Sequence, residues 1–236
     1  SVRGRAIKIA AAAQNRAIAR GFSAEAAVRV GRAGPEIVAA AHEASAQLVV
    51  VGERPRHRLR TRLMGSVTAY VAEHAPCPVF IAKGVPRPLQ RVLICDSGGG
   101  APPLIQLLAE ARWLHPLIRP AQVRVLHVMS QMVAAPGVPA AQLTADAGEL
   151  MARSTLEGRL LAEDVASLLA DDFAVVAKVR HGLGLEEIFE EMREGDYDLI
   201  VIGAHRRLGW QSYLLTDLAQ AIIAHADRSV LLLRRG

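Results

Sequence analysis

Short apolar runs alternate with amphipathic stretches along most of the chain. "RVLICD" (91–96), "VRVLHVM" (123–129), "FAVVAKV" (173–179), "DLIVIG" (198–203) and "SVLLLRR" (229–235) read as aliphatic strands. Between them, apolar positions recur at helical spacing from Pro102 to about Leu114, over 143–170, over 185–194 and over 212–225. Strands this apolar, alternating with helices, predict a parallel sheet covered on both faces. The first third reads in the same way: helices over 5–20, 34–45 and from Ser66, and strands over 24–30, 47–52 and 78–82.

The two parts are copies of one pattern. "QLVVVGERPRHRLRTRLMGSVTAYVAEHAPCPVFIAK" (47–83) lies over "DLIVIGAHRRLGWQSYLLTDLAQAIIAHADRSVLLLR" (198–234) without a gap, at an offset of 151. Upstream, Glu36–Ile37 meets Glu187–Ile188, and Val28, Arg29 and Gly31 meet Val179, Arg180 and Gly182. The period is too long for a solenoid and fits duplicated domains. The Pro-rich "GVPRPL" (84–89) fits a boundary. The chain thus divides into a partial first copy (1–84), a linker (85–90) and a second copy (91–236).

Copy 1 has no counterpart of the first strand, first helix and second strand of copy 2. By the offset, these would fall about 60 residues before Ser1. Its strand over 24–30 is therefore expected to leave unpaired edges and uncovered apolar surface.

Composition narrows the picture. Hydrophobic residues make up 51% and aromatics 4%, so the core must be aliphatic. The net charge of +5 is carried mainly by arginine, with only Lys8, Lys83 and Lys178 as lysines. Arginine suits bidentate contact with phosphate or carboxylate. The cysteines, Cys77 and Cys95, are far apart and lack metal-ligand spacing, which argues against a disulfide framework or a metal site and fits a reducing cytoplasm. No apolar run is long enough to span a bilayer, so no direct membrane insertion is expected.

Three features carry a family resemblance: a strand ending in Asp96 before a small-residue loop, "LVVVG" leading through a variable loop to "GSV" (Gly65, Ser66, Val67), and "EHAPCPVFIAK" before the final strand. With these the chain resembles the universal stress protein family in a tandem form. The resemblance implies an α/β fold of two open, parallel-sheet, Rossmann-like domains (adenine nucleotide alpha-hydrolase-like), with strand order 3-2-1-4-5 and the first copy lacking two strands. It also implies ATP binding through a motif of glycine, two residues, glycine, nine residues, glycine, then serine or threonine, helped by the aspartate after the first strand. Glycines let backbone approach phosphate, and a helix opening on a Gly–Ser step offers free N–H groups to an anion.

Copy 1 keeps Gly52, Gly65 and Ser66 at that spacing but has Pro55 at the second glycine, which stiffens the loop and removes a donor. Arg54, Arg56 and Arg58, in the stretch between, are candidate phosphate contacts. Copy 2 keeps Asp96 and Gly203 but has Arg206, Thr216 and Asp217 at the other motif positions. A carboxylate at Asp217 would repel phosphate, so copy 2 reads as degenerate for ATP.

No catalytic constellation stands out, so an enzyme is not expected. The acidic run "EEIFEEMREGDYD" reads as a solvated helix face. His74 and His225 occupy equivalent helix ends and read as structural. The basic loop 54–62 has no interleaved aromatics, which argues against specific nucleic-acid binding. The leading expectation is a cytoplasmic stress-response regulatory protein that senses ATP or another small anion. It would act as a homodimer, or by pairing its two copies, through the last strands 78–82 and 229–235. The alternatives are a cytoplasmic regulatory module of a larger protein such as an ion transporter, and, remotely, a weak ATP hydrolase.

Overall fold

The computed structural model describes residues 2–52, 65–95, 103–130, 144–153, 155–206, 213–214 and 217–235. Copy 1 contributes α1 (Val2–Ile18), α2 (Ala33–Glu43), β1 (Val49–Gly52), α3 (Ser66–His74) and β2 (Val79–Ala82). Copy 2 contributes β3 (Arg91–Cys95), α4 (Leu104–Glu110), a 3-10 turn (Arg112–Leu114), α5 (His115–Ile118), β4 (Gln122–Ser130), α6 (Ala147–Met151) and α7 (Leu156–Ala170). It continues with β5 (Ala174–Gly182), α8 (Gly184–Gly195), β6 (Leu199–Gly203), the short pair β7 (His205–Arg206) and β8 (Tyr213–Leu214), α9 (Asp217–His225) and β9 (Ser229–Leu233).

The helical stretches over 102–114 and 143–170 divide further than periodicity indicates, the first into α4 and the 3-10 turn. The stretch over 143–170 is two helices because each half starts on its own cap. Asp146 forms a capping box with Glu149 ahead of α6, and the Thr155 side chain accepts from the Gly158 amide ahead of α7. α8 carries Glu186 and Glu187 in its first turn and Arg193 in its last, matching the helix dipole.

The open parallel sets of strands expected for the two copies join into one sheet through β2 and β9. Seven strands form one mixed sheet in the order β1-β2-β9-β6-β3-β4-β5. All neighbours run parallel except β2 and β9, which pair antiparallel with Val79 opposite Leu232, Phe80 opposite Leu231 and Ile81 opposite Val230. Phe80 and Leu231 are equivalent by the 151-residue offset, so a local two-fold axis passes between them.

Strand alternation sends side chains to two cores. Leu93, Val230, Leu232, Val79 and Ile81 face one core with α2, α3, α8 and α9. Val92, Ile94, Leu231 and Leu233 face the other, with α4 and α7. Both cores run across the seam between copies.

The strand expected over 24–30 is also corrected: these residues form no strand. Their counterparts lie in β5, which is paired along its length to β4; among the described residues nothing pairs with 24–30 in that way. Val30 is 82% exposed, and α1 buries no residue. The rest of copy 1 packs well, with Val71, Ala72, Val79 and Ile81 at 0% exposure, because β2 gains β9 as a neighbour. At the outer edge, Val50 is 61% exposed while its counterpart Val201 is fully covered.

Candidate functional site

The copy 1 motif sits where β1 ends and α3 begins. Gly52 closes β1 and is exposed; Gly65 is extended (φ −61°, ψ 140°) and precedes Ser66, the first residue of α3. No side chain caps this helix among the described residues, and its first turn holds no acid. Ser66 and Val67 are exposed there. A methyl group added at Gly52 would meet nothing within 4 Å, and one at Gly65 would meet only the Thr68 hydroxyl at 3.9 Å. Packing among the described residues therefore does not require glycine at either position, and the space they leave is open. Arg54, Arg56 and Arg58 lie outside the described residues.

In copy 2, Gly203 ends β6 and is half-buried, and α9 opens on Asp217 with its carboxylate in the first turn. Asp96 and Thr216 lie outside the described residues; Asp96 follows Cys95, the last residue of β3. The antiparallel β2–β9 pairing puts the carboxyl ends of β1 and β2 at the opposite edge of the sheet from those of β3, β6 and β9. Gly52, Gly65, Ser66 and Val67 therefore form one set and Gly203 another, and the two cannot share one ligand.

The acidic run of α8 is solvated only in part, which corrects that expectation: Glu186 and Glu194 are exposed, but one acid faces inward. Glu191 is fully buried. Its carboxylate accepts from the Tyr197 hydroxyl (2.5 Å) and pairs with Lys178 (2.5 Å), Arg124 (3.1 Å) and Arg180 (3.1 Å). Burial pushes its pKa up, but hydrogen bonds from Lys178, Tyr197, Arg124 and Arg180 outweigh burial and hold it at about 2. Burial and the neighbouring carboxylate also push the Tyr197 phenol well above its ordinary value.

Arg180 further binds Glu187 (2.7 Å) and Glu194 (2.8 Å). Copy 1 repeats only this outer layer: Arg29 binds Glu36 (2.9 Å) and clamps Glu43 with two bonds of 2.7 and 2.8 Å. Where copy 2 has Glu191 and Tyr197, copy 1 has Ala40 and Ala46, and Ala27 stands where copy 2 has Lys178. The buried carboxylate occurs only where its cations do. Its sequence signal was Arg124 and Lys178, two cations inside otherwise aliphatic strands.

Both copies also grip each other at the seam. Lys83 donates to the carbonyls of Ile223 and Ala226 at the end of α9. Its counterpart Arg234, 3% exposed, donates to the equivalent carbonyls of Ala72 and Ala75 at the end of α3. His74 and His225 also sit at these helix ends as expected. Their Nδ1 atoms lie 2.9 and 3.0 Å from the carbonyls of Tyr70 and Ala221, and their rings pack on Tyr70 and Phe189.

Among the described residues, no three His, Cys, Asp or Glu side chains gather as metal ligands, and no helix is long and apolar enough to cross a membrane.

The universal stress protein family model matches residues 2–83 and again 89–234. No curated protein matches the chain. Among solved structures, a universal stress protein from Archaeoglobus fulgidus is 19% identical with a TM-score of 0.71, covering 99% of this chain and 79% of its own. A functionally unknown protein from Pseudomonas aeruginosa is 18% identical with a TM-score of 0.64, covering 94% of this chain and 77% of its own. Both share the fold. With two family domains matched over nearly all its length, the chain belongs to the universal stress protein family.

Proposed function

We propose that this is a stress-response regulatory protein that takes the phosphate of a nucleotide, with ATP as the candidate, at the amino end of α3. The observation that carries this reading is the Gly65–Ser66 opening of α3. Among the described residues it is uncapped, free of acid in its first turn, and next to Gly52, where nothing would meet an added methyl group. A helix amino end of this kind favours an anion through its free N–H groups and its positive partial charge. Copy 2 is disfavoured by Asp217 in the first turn of α9. The two copies act as an internal pair in this reading. The edges of β2 and β9 face each other within one chain, which leaves neither for pairing with a second molecule.

Thermal unfolding with added ATP tests the phosphate reading. At tenfold saturation the midpoint should rise by about 3 °C. Ser66→Ala should weaken the effect, and Gly65→Asp, which places a carboxylate at the helix opening, should remove it. Asp217→Ser, which restores the motif residue in copy 2, should not be needed for the shift. A midpoint unmoved by ATP, or moved equally in Gly65→Asp, would overturn the reading.

A further inference from the structure

The seam holds an open cleft of about 620 Å³. Ser45, Ala46 and Gln47 form one wall, with Pro76–Cys77–Pro78 beside them. Leu107, Ala111 and Trp113 form the facing wall. Trp113 is 39% exposed there, and the Cys77 thiol is buried, which pushes its pKa up.

The internal repeat shows what such a wall binds. The counterparts of Ser45, Ala46 and Gln47 are Asp196, Tyr197 and Asp198. The backbone matches as well: Ser45 and Asp196 both adopt left-handed conformations, with φ of 46° and 45°. In copy 2 this wall is covered by the extended linker. Arg87 donates to the Asp196 carboxylate (3.2 Å) and the Tyr197 carbonyl (2.8 Å), and pairs with Asp198. The amides of Gln90 and Arg91 donate to the Asp198 carboxylate at 2.8 and 2.9 Å. The surface therefore recognises an extended, proline-containing segment anchored by one charged side chain.

In copy 1 the charge is inverted. Both aspartates are replaced, by Ser45 and Gln47, and the cleft is lined instead by Arg234 and Arg235 against the single carboxylate of Glu110. We infer that this cleft docks an extended segment of a partner protein carrying an acidic side chain for Arg235 and an apolar one for the Trp113 wall. Arg235 already holds Glu110 with bonds of 3.1 and 2.6 Å, so it is placed to receive carboxylate oxygens at this position. This inference goes beyond the nucleotide reading and does not depend on it.

Two fluorescein-labelled peptides of residues 84–90 test it by polarisation, one unchanged and one with Arg87→Glu. The Glu peptide should bind at least about tenfold more tightly than the Arg peptide, since like charge across an interface is costly. Arg235→Glu should reverse that preference, Glu110→Gln should strengthen the Glu peptide about threefold, and Trp113→Ala should weaken both, since each change alters one named contact. These positions are all partly exposed, and unchanged unfolding midpoints would confirm intact folds. Equal binding of the two peptides, no binding of either, or an unchanged preference in Arg235→Glu would overturn the assignment.

Discussion

Replacing Glu191 with alanine should destabilise the protein by about 3–5 kcal/mol, because it leaves three half-buried cations without their counter-charge. For a chain of this length that corresponds to a fall of about 10 °C in the unfolding midpoint. Glu191 is fully covered and touches Lys178, Arg124, Arg180 and Tyr197 at once, so its loss unpairs several groups together. Glu36→Ala, in the outer network of copy 1, should cost less than about 1 kcal/mol, as exposed pairs do. The pH dependence has a definite sign. The Glu191 pKa is lowered from 4.5 to about 2 on folding, so its contribution is complete above about pH 4.5 and is lost as pH falls towards 2. Urea unfolding of wild type and Glu191→Gln at a series of pH values should show their stability difference shrinking across that window. A difference that stays constant from pH 7 to pH 2.5, or an alanine variant as stable as wild type, would refute the role of this carboxylate.

That cluster also shows where reading the sequence reaches its limit. Apolar runs, helical spacing and the 151-residue repeat place the main elements and both members of the motif pair Gly65–Ser66. They do so because these patterns depend on residues close in sequence. The strand expected over 24–30 fails for the opposite reason. "AAVRV" carries the same pattern as its counterpart in β5, but a strand exists only with a neighbour to hydrogen-bond, and none of the described residues pairs with it. The acidic face of α8 is misread because a helical wheel shows which residues share a side, not what packs on that side. Arg124 and Lys178 come from β4 and β5, 67 and 13 residues earlier. The division of the motif residues into two distant sets is likewise invisible in a linear match. It follows from a single antiparallel contact, β2 on β9, which reverses one copy relative to the other.

The same contact makes Arg234 a keystone between the copies, and Arg234→Ala should cost about 2–4 kcal/mol. The guanidinium is buried and binds the Ala72 and Ala75 carbonyls, which are the unsatisfied groups at the end of α3. Without it those carbonyls stay buried with no donor, and each such loss costs about 1–3 kcal/mol. Lys83→Ala removes the equivalent cap from α9, but Lys83 is half-buried, so water can reach part of the vacated site and the loss should be smaller, about 1 kcal/mol. The two variants should also differ in where the structure loosens. α3 and β1 depend on the seam for their neighbours, since β1 pairs only with β2 and β2 continues into copy 2 through β9. Hydrogen exchange in Arg234→Ala should therefore accelerate at the amides of 49–52, 66–74 and 79–82 while β3 and β4 keep their protection. Arg234→Lys, which retains a cation but not the fork of donors, should recover only part of the loss. Uniform acceleration across all seven strands would instead mean that the copies unfold as one unit and that Arg234 stabilises the whole sheet.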